Sequence, residues 1–300
     1  MARFTEEQIT RANNISIEQL LRSKDEPLKR EGREFRWMRD KCVTINGSKW
    51  FDHAAQTGGG AVSFVKRFYN MDFRQAMEYL LNGEQGKEFV QAKPKEIKKQ
   101  PFHLPEPNSD MRRVFAYLVK TRGIDADVVE HFAKAHTLYQ SKDHHNAVFV
   151  GMDENGKPQH AHQKSTNTYG KGFRNTVAGS DGRYGFMHKG TSDTIYCFEA
   201  PIDMLSFITL NKENWKQHSY IAVSGTSDIP LFHFLKNNPH IENVCLCLDN
   251  DKTGHMRCEK ISEQLKEQGY YPHPCFSELK DWNYDLLAAR DKRCQTYNFG

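Results

Sequence analysis

The C-terminal part of this 300-residue chain reads as an α/β fold, a mainly parallel sheet flanked by helices. An α+β subdomain and a small N-terminal α+β domain precede it. Three observations carry this reading. The runs Ile195–Phe198 and Val244–Leu248 are apolar without the period-2 alternation of a half-exposed sheet, so they read as short strands covered on both faces. Each run stops at acidic residues and leads into a helix-period pattern: Ile202, Leu205 and Ile208 after the first, Cys258, Ile261 and Leu265 after the second. Residues 84–107 mix lysines and prolines with little apolar content and read as an extended, solvated linker. The expected organisation is therefore a module over 1–83, a linker over 84–107, a basic α+β subdomain over 108–190 and the parallel-sheet domain over 191–300.

Taken in order, Thr5-Glu-Glu-Gln8 is a capping box that opens a first helix, and Ser16 opens a second with Ile17, Leu20 and Leu21. Phe35 to Phe51, rich in aromatic and β-branched residues around Asn46-Gly47, reads as a β-hairpin. Gly58-Gly59-Gly60 breaks the chain before a helical run, and the next helix, Asp72 to Leu81, spaces Phe73, Met77 and Leu80 on one face. From Asp110 two further helices are expected, with Val114, Leu118 and Val119 and then Ile124, Val128 and Phe132 as apolar positions. Asn146 to Met152 is a strand, and His160 begins its returning partner. Residues 160–189 interleave Lys164, Lys171, Arg174 and Arg183 with Tyr169, Phe173, Tyr184 and Phe186. Cations that meet phosphates beside rings that stack on bases suit single-stranded nucleic acid; a Gly-rich hairpin whose aromatics pack on a sheet is the other reading.

Chemistry concentrates at the two acidic strand ends, Glu199-Ala-Pro-Ile-Asp203 and Asp249-Asn-Asp251-Lys-Thr-Gly254. In open α/β sheets ligands collect at the carboxyl ends of the strands. Carboxylates that converge there repel one another, which makes sense around a divalent cation. Asp249 and Asp251 lie two apart in extended chain and can point to one side, as a Mg²⁺ (or Mn²⁺) site needs. Asp203 sits one turn into a helix beside Glu199; complementing the helix N-terminus is its other reading. Gly254 lets the backbone turn into the next helix.

The bulk properties narrow the classes. The mean hydropathy of −0.76 and the lack of a long apolar run argue against a membrane span. The N-terminus shows no apolar signal region, so a cytoplasmic protein is expected. Seven cysteines, an odd number without any Cys-x-x-Cys, suit reduced, packed thiols and no zinc site. A net charge of +4 permits a nucleic-acid partner without arguing for one.

The two acidic elements resemble the Toprim domain of bacterial primases, topoisomerases and some nucleases, whose pattern is a strand ending in Glu, an Asp four residues later, and Asp-x-Asp-x-x-Gly after another strand. Asp249 to Gly254 matches it completely, whereas Ala200 stands where the family usually has Gly. The resemblance implies acid/base work or metal ligation for Glu199, with Asp203 orienting it or binding metal through water. It also implies a further acidic residue, Asp281, in Lys280-Asp281. Gly58 to Val65 and Met71 to Leu80 resemble the small zinc-binding domain of bacterial primases, but His53 and Gln56 occupy its Cys-x-x-Cys positions. More loosely, residues 147–190 resemble the basic subdomain that guides template in the primase catalytic core.

Together these pieces resemble Toprim primase-like proteins of plasmids and integrative elements. The resemblance implies a primase-like nucleotidyl transferase that makes short primers on single-stranded DNA from nucleoside triphosphates. Asp249, Asp251, Glu199 and Asp281 would serve metal; Lys164, Arg174, Arg183, Lys252 and Lys280 would hold nucleic acid or nucleotide. A helicase or a relaxase is the candidate recruiting partner. The alternatives are a non-catalytic DNA-binding accessory of plasmid replication or conjugation, and a Toprim metal-dependent nuclease. No Gly-x4-Gly-Lys-[Ser/Thr] loop is present, as the ATPase-linked nucleases would require.

Overall fold

The structure is a computed structural model that describes residues 4–82, 89–90, 100–169, 172–225 and 227–297, with side chains through 291. The chain falls into two compact units, Met1–Lys98 and Lys99–Gly300. No helix among the described residues is long and apolar enough to cross a membrane. The linker expected over 84–107 lies mostly outside the described residues. Its last part is not free spacer, because Pro105 accepts a hydrogen bond from Tyr139 Oη (2.7 Å) and Glu106 O accepts one from Lys142 N (2.7 Å).

The first unit opens with α1 (Glu6–Asn13), whose capping box at Thr5 forms as expected, and α2 (Ile17–Arg22), where Ser16 Oγ accepts from Gln19 N. An antiparallel sheet follows in sequential order: β1 (Leu28–Glu31), β2 (Glu34–Trp37), β3 (Val43–Asn46), β4 (Lys49–Asp52) and β5 (Thr57–Gly59). The Asn46-Gly47 turn joins β3 to β4, with Gly47 at φ +64°. The expected hairpin is thus the centre of a larger meander. The glycine run also does more than break the chain. A Cβ on Gly58 would lie 2.5 Å from Trp50 O, so only glycine lets β5 pair there with β4.

Two helices, α3 (Ala61–Phe68) and α4 (Phe73–Asn82), cover the sheet, and Trp37, Trp50 and Phe64 form the aromatic centre of the core. Phe73 does not join Met77 and Leu80 inside. It is 43% exposed, because it sits on the first turn of α4, edge-on to Phe4.

The second unit begins with α5 (Arg112–Ala116), which runs into one wide π-turn over Tyr117–Thr121, then α6 (Ala126–Lys134). Four antiparallel strands follow, β6 (Leu138–Gln140), β7 (Ala147–Met152), β8 (Pro158–Lys164) and β9 (Arg174–Thr176). The remaining elements are β10 (Phe186–His188), β11 (Thr194–Phe198), α7 (Pro201–Leu210), β12 (Ser219–Ala222), α8 (Ile229–Asn237), β13 (Asn243–Leu246), α9 (Lys252–Glu267), β14 (Tyr271–Pro274) and α10 (Trp282–Tyr297).

Their strands form one sheet in the order β10-β12-β11-β13-β14. It is parallel except for β10, so the mainly parallel α/β sheet expected from the sequence is present. The central strand β11 has β12 on one side and β13 on the other, so the chain changes direction across the sheet at β11. One face packs Phe198, Tyr220, Leu205 and Trp282; the other packs Ile195, Leu246, Leu231 and Ile261. Each fully buried aliphatic side chain contributes about 1.5–3 kcal/mol. Helix α7 is buried nearly all round rather than on one stripe, because α6 and α10 pack on it. Its two buried hydroxyls, on Ser206 and Thr209, donate to Ile202 O and Leu205 O.

Candidate active site

A cleft of about 760 Å³ lies over the carboxyl ends of β11 and β13. One wall carries Glu199, Asp203, Asp249 and Asp281; the other carries Arg122, His162, Lys164 and Arg174. Lys280 and Asn283 join the rim.

The acidic wall follows from local folding. Glu199 leaves the end of β11, and Pro201 starts α7, setting Asp203 in its first turn. Strand β13 pairs in parallel with β11, and Cys247 N donates to Cys197 O (2.8 Å), which brings the chain beyond β13 alongside Glu199. Asp249 then turns sharply. Its carbonyl accepts from Asp251 N, and a Cβ on Gly254 would collide with that same carbonyl, so the turn requires glycine. Asp281 precedes α10 and accepts from Tyr284 N (3.0 Å). Asp285 holds the loop before it by accepting from Glu278 N and Leu279 N, both at 2.8 Å.

These carboxylates disturb one another. Burial, then Asp281, Asp249 and Glu199, push the Asp203 carboxyl up to about 8, against a single lowering hydrogen bond from Asn283 N. Burial and the charges of Glu199, Asp281 and Asp251 push Asp249 up to about 6, with Lys280 opposing. The basic wall is strained in the opposite sense. Burial and the nearby Arg122 and Arg174 guanidiniums lower the Lys164 ammonium, which Asp203 only partly offsets. Neither Lys164 nor Arg174 forms an ion pair with a described residue. Burial, then His160, Arg174 and Lys164, push His162 down to about 4, so it faces the cleft neutral.

The donor chemistry suits a hard divalent cation: oxygen ligands, with uncompensated negative charge to relieve. Among the described residues no three Asp, Glu, His or Cys side chains converge closely enough to share one ion. The fit is therefore to an ion held by one or two carboxylates and completed by water and phosphate oxygens, the mode Mg²⁺ favours.

Seven of the residues singled out in the sequence meet in this cleft: Glu199, Asp203, Asp249, Asp281, Lys164, Arg174 and Lys280. Three do not line it. Asp251 is the N-cap of α9 and accepts from Gly254 N (2.9 Å), while Lys252 is the exposed first residue of that helix. Arg183 is ion-paired with Asp181 at 2.6 Å.

Four residues were not foreseen. Arg122 donates to Asn283 Oδ1 (3.1 Å), a contact spanning 161 positions that no local pattern announces. Asn283 in turn donates to Arg122 O and Ser206 Oγ. His162 was readable, since it stands two residues from Lys164 in a strand and so shares its face. Arg257 was readable too, as a charge on the apolar face of α9. Its Nη1 lies 2.9 Å from Glu199 Oε2.

A family model described as Toprim-like matches residues 196–286, and one described as a protein of unknown function (DUF3991) matches residues 116–192. An uncharacterized protein of Bacillus anthracis is 27% identical over 309 residues, covering 94% of this chain and 89% of its own length. Among solved structures, the primase fragment of the bacteriophage T7 primase-helicase protein is similar with a TM-score of 0.49 at 14% identity, over 85% of this chain and 93% of that one. The Aquifex aeolicus primase, with its zinc-binding and RNA polymerase domains, is similar with a TM-score of 0.39 at 14% identity, over 96% of this chain and 85% of that one. Residues 196–286, with the strand ends that carry Glu199 and Asp249, are thus similar to the Toprim-like family.

Proposed function

We propose that the protein is a primase-like nucleotidyl transferase that synthesises short primers on single-stranded DNA from nucleoside triphosphates. The observation that carries this reading is the division of one cleft into mutually repelling carboxylates and mutually repelling cations. Nucleotide phosphates together with a divalent cation supply what each wall lacks.

Asp249 and Asp281, with Asp203 beside them, would hold Mg²⁺ or Mn²⁺, which when bound neutralises charge on the reacting phosphate. Asp251 supports this set by capping α9 and by adding negative potential at Asp249. Glu199 accepts the proton of the attacking 3′-hydroxyl as the new oxygen–phosphorus bond forms and pyrophosphate leaves. Arg122, Lys164 and Arg174 bind the triphosphate and the adjacent template phosphates, and Lys280 steadies charge at the rim. The basic subdomain over 108–190 serves as the template-contacting part of this arrangement.

The test is primer synthesis on single-stranded DNA with labelled nucleotides and Mg²⁺ or Mn²⁺, comparing the wild type with Glu199→Gln and Asp249→Asn. New short oligonucleotides, reduced by at least about 100-fold in both variants, are the expected result. Intact, bound template without products would instead mark a non-catalytic DNA-binding protein. Cleaved template would mark a nuclease.

A further inference from the structure

Arg257 has no place in the reading above, yet it is the cation in contact with Glu199. It lies three residues after Gly254, on the face of α9 that also carries the buried Cys258 and Ile261. The Asp249–Gly254 turn sets that register, so the same turn that presents Asp249 also delivers a guanidinium to the end of β11. The Arg257 and Glu199 side chains are only 14% and 21% exposed, with Nη1 2.9 Å from Oε2. The guanidinium N–H groups are not aligned as a hydrogen-bonded fork, so the contact is Coulombic rather than bidentate. At low dielectric such a contact still neutralises most of one carboxylate.

We propose that Arg257 is a positioning residue that holds the Glu199 carboxylate by charge outside the metal's ligand set, leaving the cation to Asp249 and Asp281. The proposal rests on the metal-dependent reading of this cleft. Arg257 and a divalent cation compete for the Glu199 carboxylate. While Arg257 is present, Glu199 adds little to cation affinity.

The experiment is titration of the full chain with Mn²⁺, followed by the electron paramagnetic resonance of the free ion, with circular dichroism to confirm folding. Arg257→Gln uncovers the Glu199 charge and is expected to tighten Mn²⁺ binding by about 5–10-fold. The charge-neutral double variant Glu199→Gln/Arg257→Gln removes the pair together and is expected to stay within about twofold of the wild type. A pair that only braces α9 would leave Arg257→Gln no tighter than the wild type, and that result overturns the proposal. So does a tenfold or greater loss in the double variant, which would make Glu199 a ligand. The double variant reads the question even where Arg257→Gln alone does not fold. Mn²⁺ binding in the expected order without primer synthesis would refute the proposed function and leave the role of Arg257 standing.

Discussion

Asp52 in the N-terminal unit and Asp203 in the C-terminal unit are both covered carboxylates that the chain treats in opposite ways. Asp52 ends β4 and accepts from Ala54 N (2.9 Å) and Ala55 N (3.0 Å), with Arg67 Nη2 at 2.6 Å. These donors, the Ala55 N–H first, hold it below its ordinary range. Its side chain is 6% exposed. Asp203 has one donor and three carboxylate neighbours, and is pushed up to about 8. Where a carboxylate serves the fold, the chain surrounds it with N–H groups. Where carboxylates are gathered with few donors, they are held above their ordinary range, a pattern that clusters at functional sites.

The contrast is also instructive within the N-terminal unit. His53 and Gln56 belong to the turn that follows β4. Here that turn is tied by Asp52, while Gln56 Nε2 donates to His53 O (2.7 Å) and His53 Nε2 meets Thr44 Oγ1 (3.0 Å). Hydrogen bonds and one ion pair organise the turn.

The largest expected effect comes from breaking the satisfied side of the comparison. Asp52→Ala leaves Ala54 N, Ala55 N and Arg67 without their acceptor and should destabilise the first unit by about 2 kcal/mol. Hydrogen exchange over residues 43–68 in the full chain should accelerate accordingly. Because the native pKa is lowered, this stabilisation is present above the unfolded value near 4 and fades as the pH falls below it. Unchanged exchange would show that the turn is held by its backbone alone.

The unsatisfied side should respond in the opposite direction. The native pKa of Asp203, about 8, exceeds its unfolded value, so the native state binds the extra proton and stability falls as the pH rises from about 4 to 8. Asp203→Asn should flatten that slope and raise the Tm in EDTA at pH 8 by about 2–5 °C. Mg²⁺ should raise the wild-type Tm more at pH 8 than at pH 6, and should do little for Asp203→Asn/Asp249→Asn. A lower Tm for Asp203→Asn in EDTA would mean that the protein already compensates the charge.

The smallest effects sharpen the same contrast among the cations. Arg174→Gln removes a guanidinium that has no ion pair among the described residues, and should weaken single-stranded DNA binding by about 3–10-fold while reducing the salt slope by about 1. Arg183→Gln removes one already paired with Asp181 and should change binding by less than about twofold. Equal losses in the two variants would separate DNA binding from this cleft.

Local pattern determined a good deal about this protein. The apolar runs at β11 and β13, the glycine in the Asp249–Gly254 turn and the caps at Thr5 and Ser16 are short-range features, set by strand period, backbone sterics and terminal N–H groups. They suffice to place Glu199 and Asp249 at strand ends, whereas the pairing of β11 with β13 that makes those ends neighbours is decided by the sheet. Strand period also reaches His162 through Lys164, and helix period reaches Arg257 through Cys258 and Ile261. The assignment of charge to partners lay beyond any such pattern. Asp251 and Asp249 look alike in the chain, yet one caps a helix and the other faces the cleft. Arg174 and Arg183 look alike, yet only Arg183 has an acid two residues away folded back onto it. Arg122 enters the site through Asn283, 161 positions further on. Periodicity tells which face a residue takes, whereas Coulomb energy depends on distances and burial that exist only once the sheets and helices have packed.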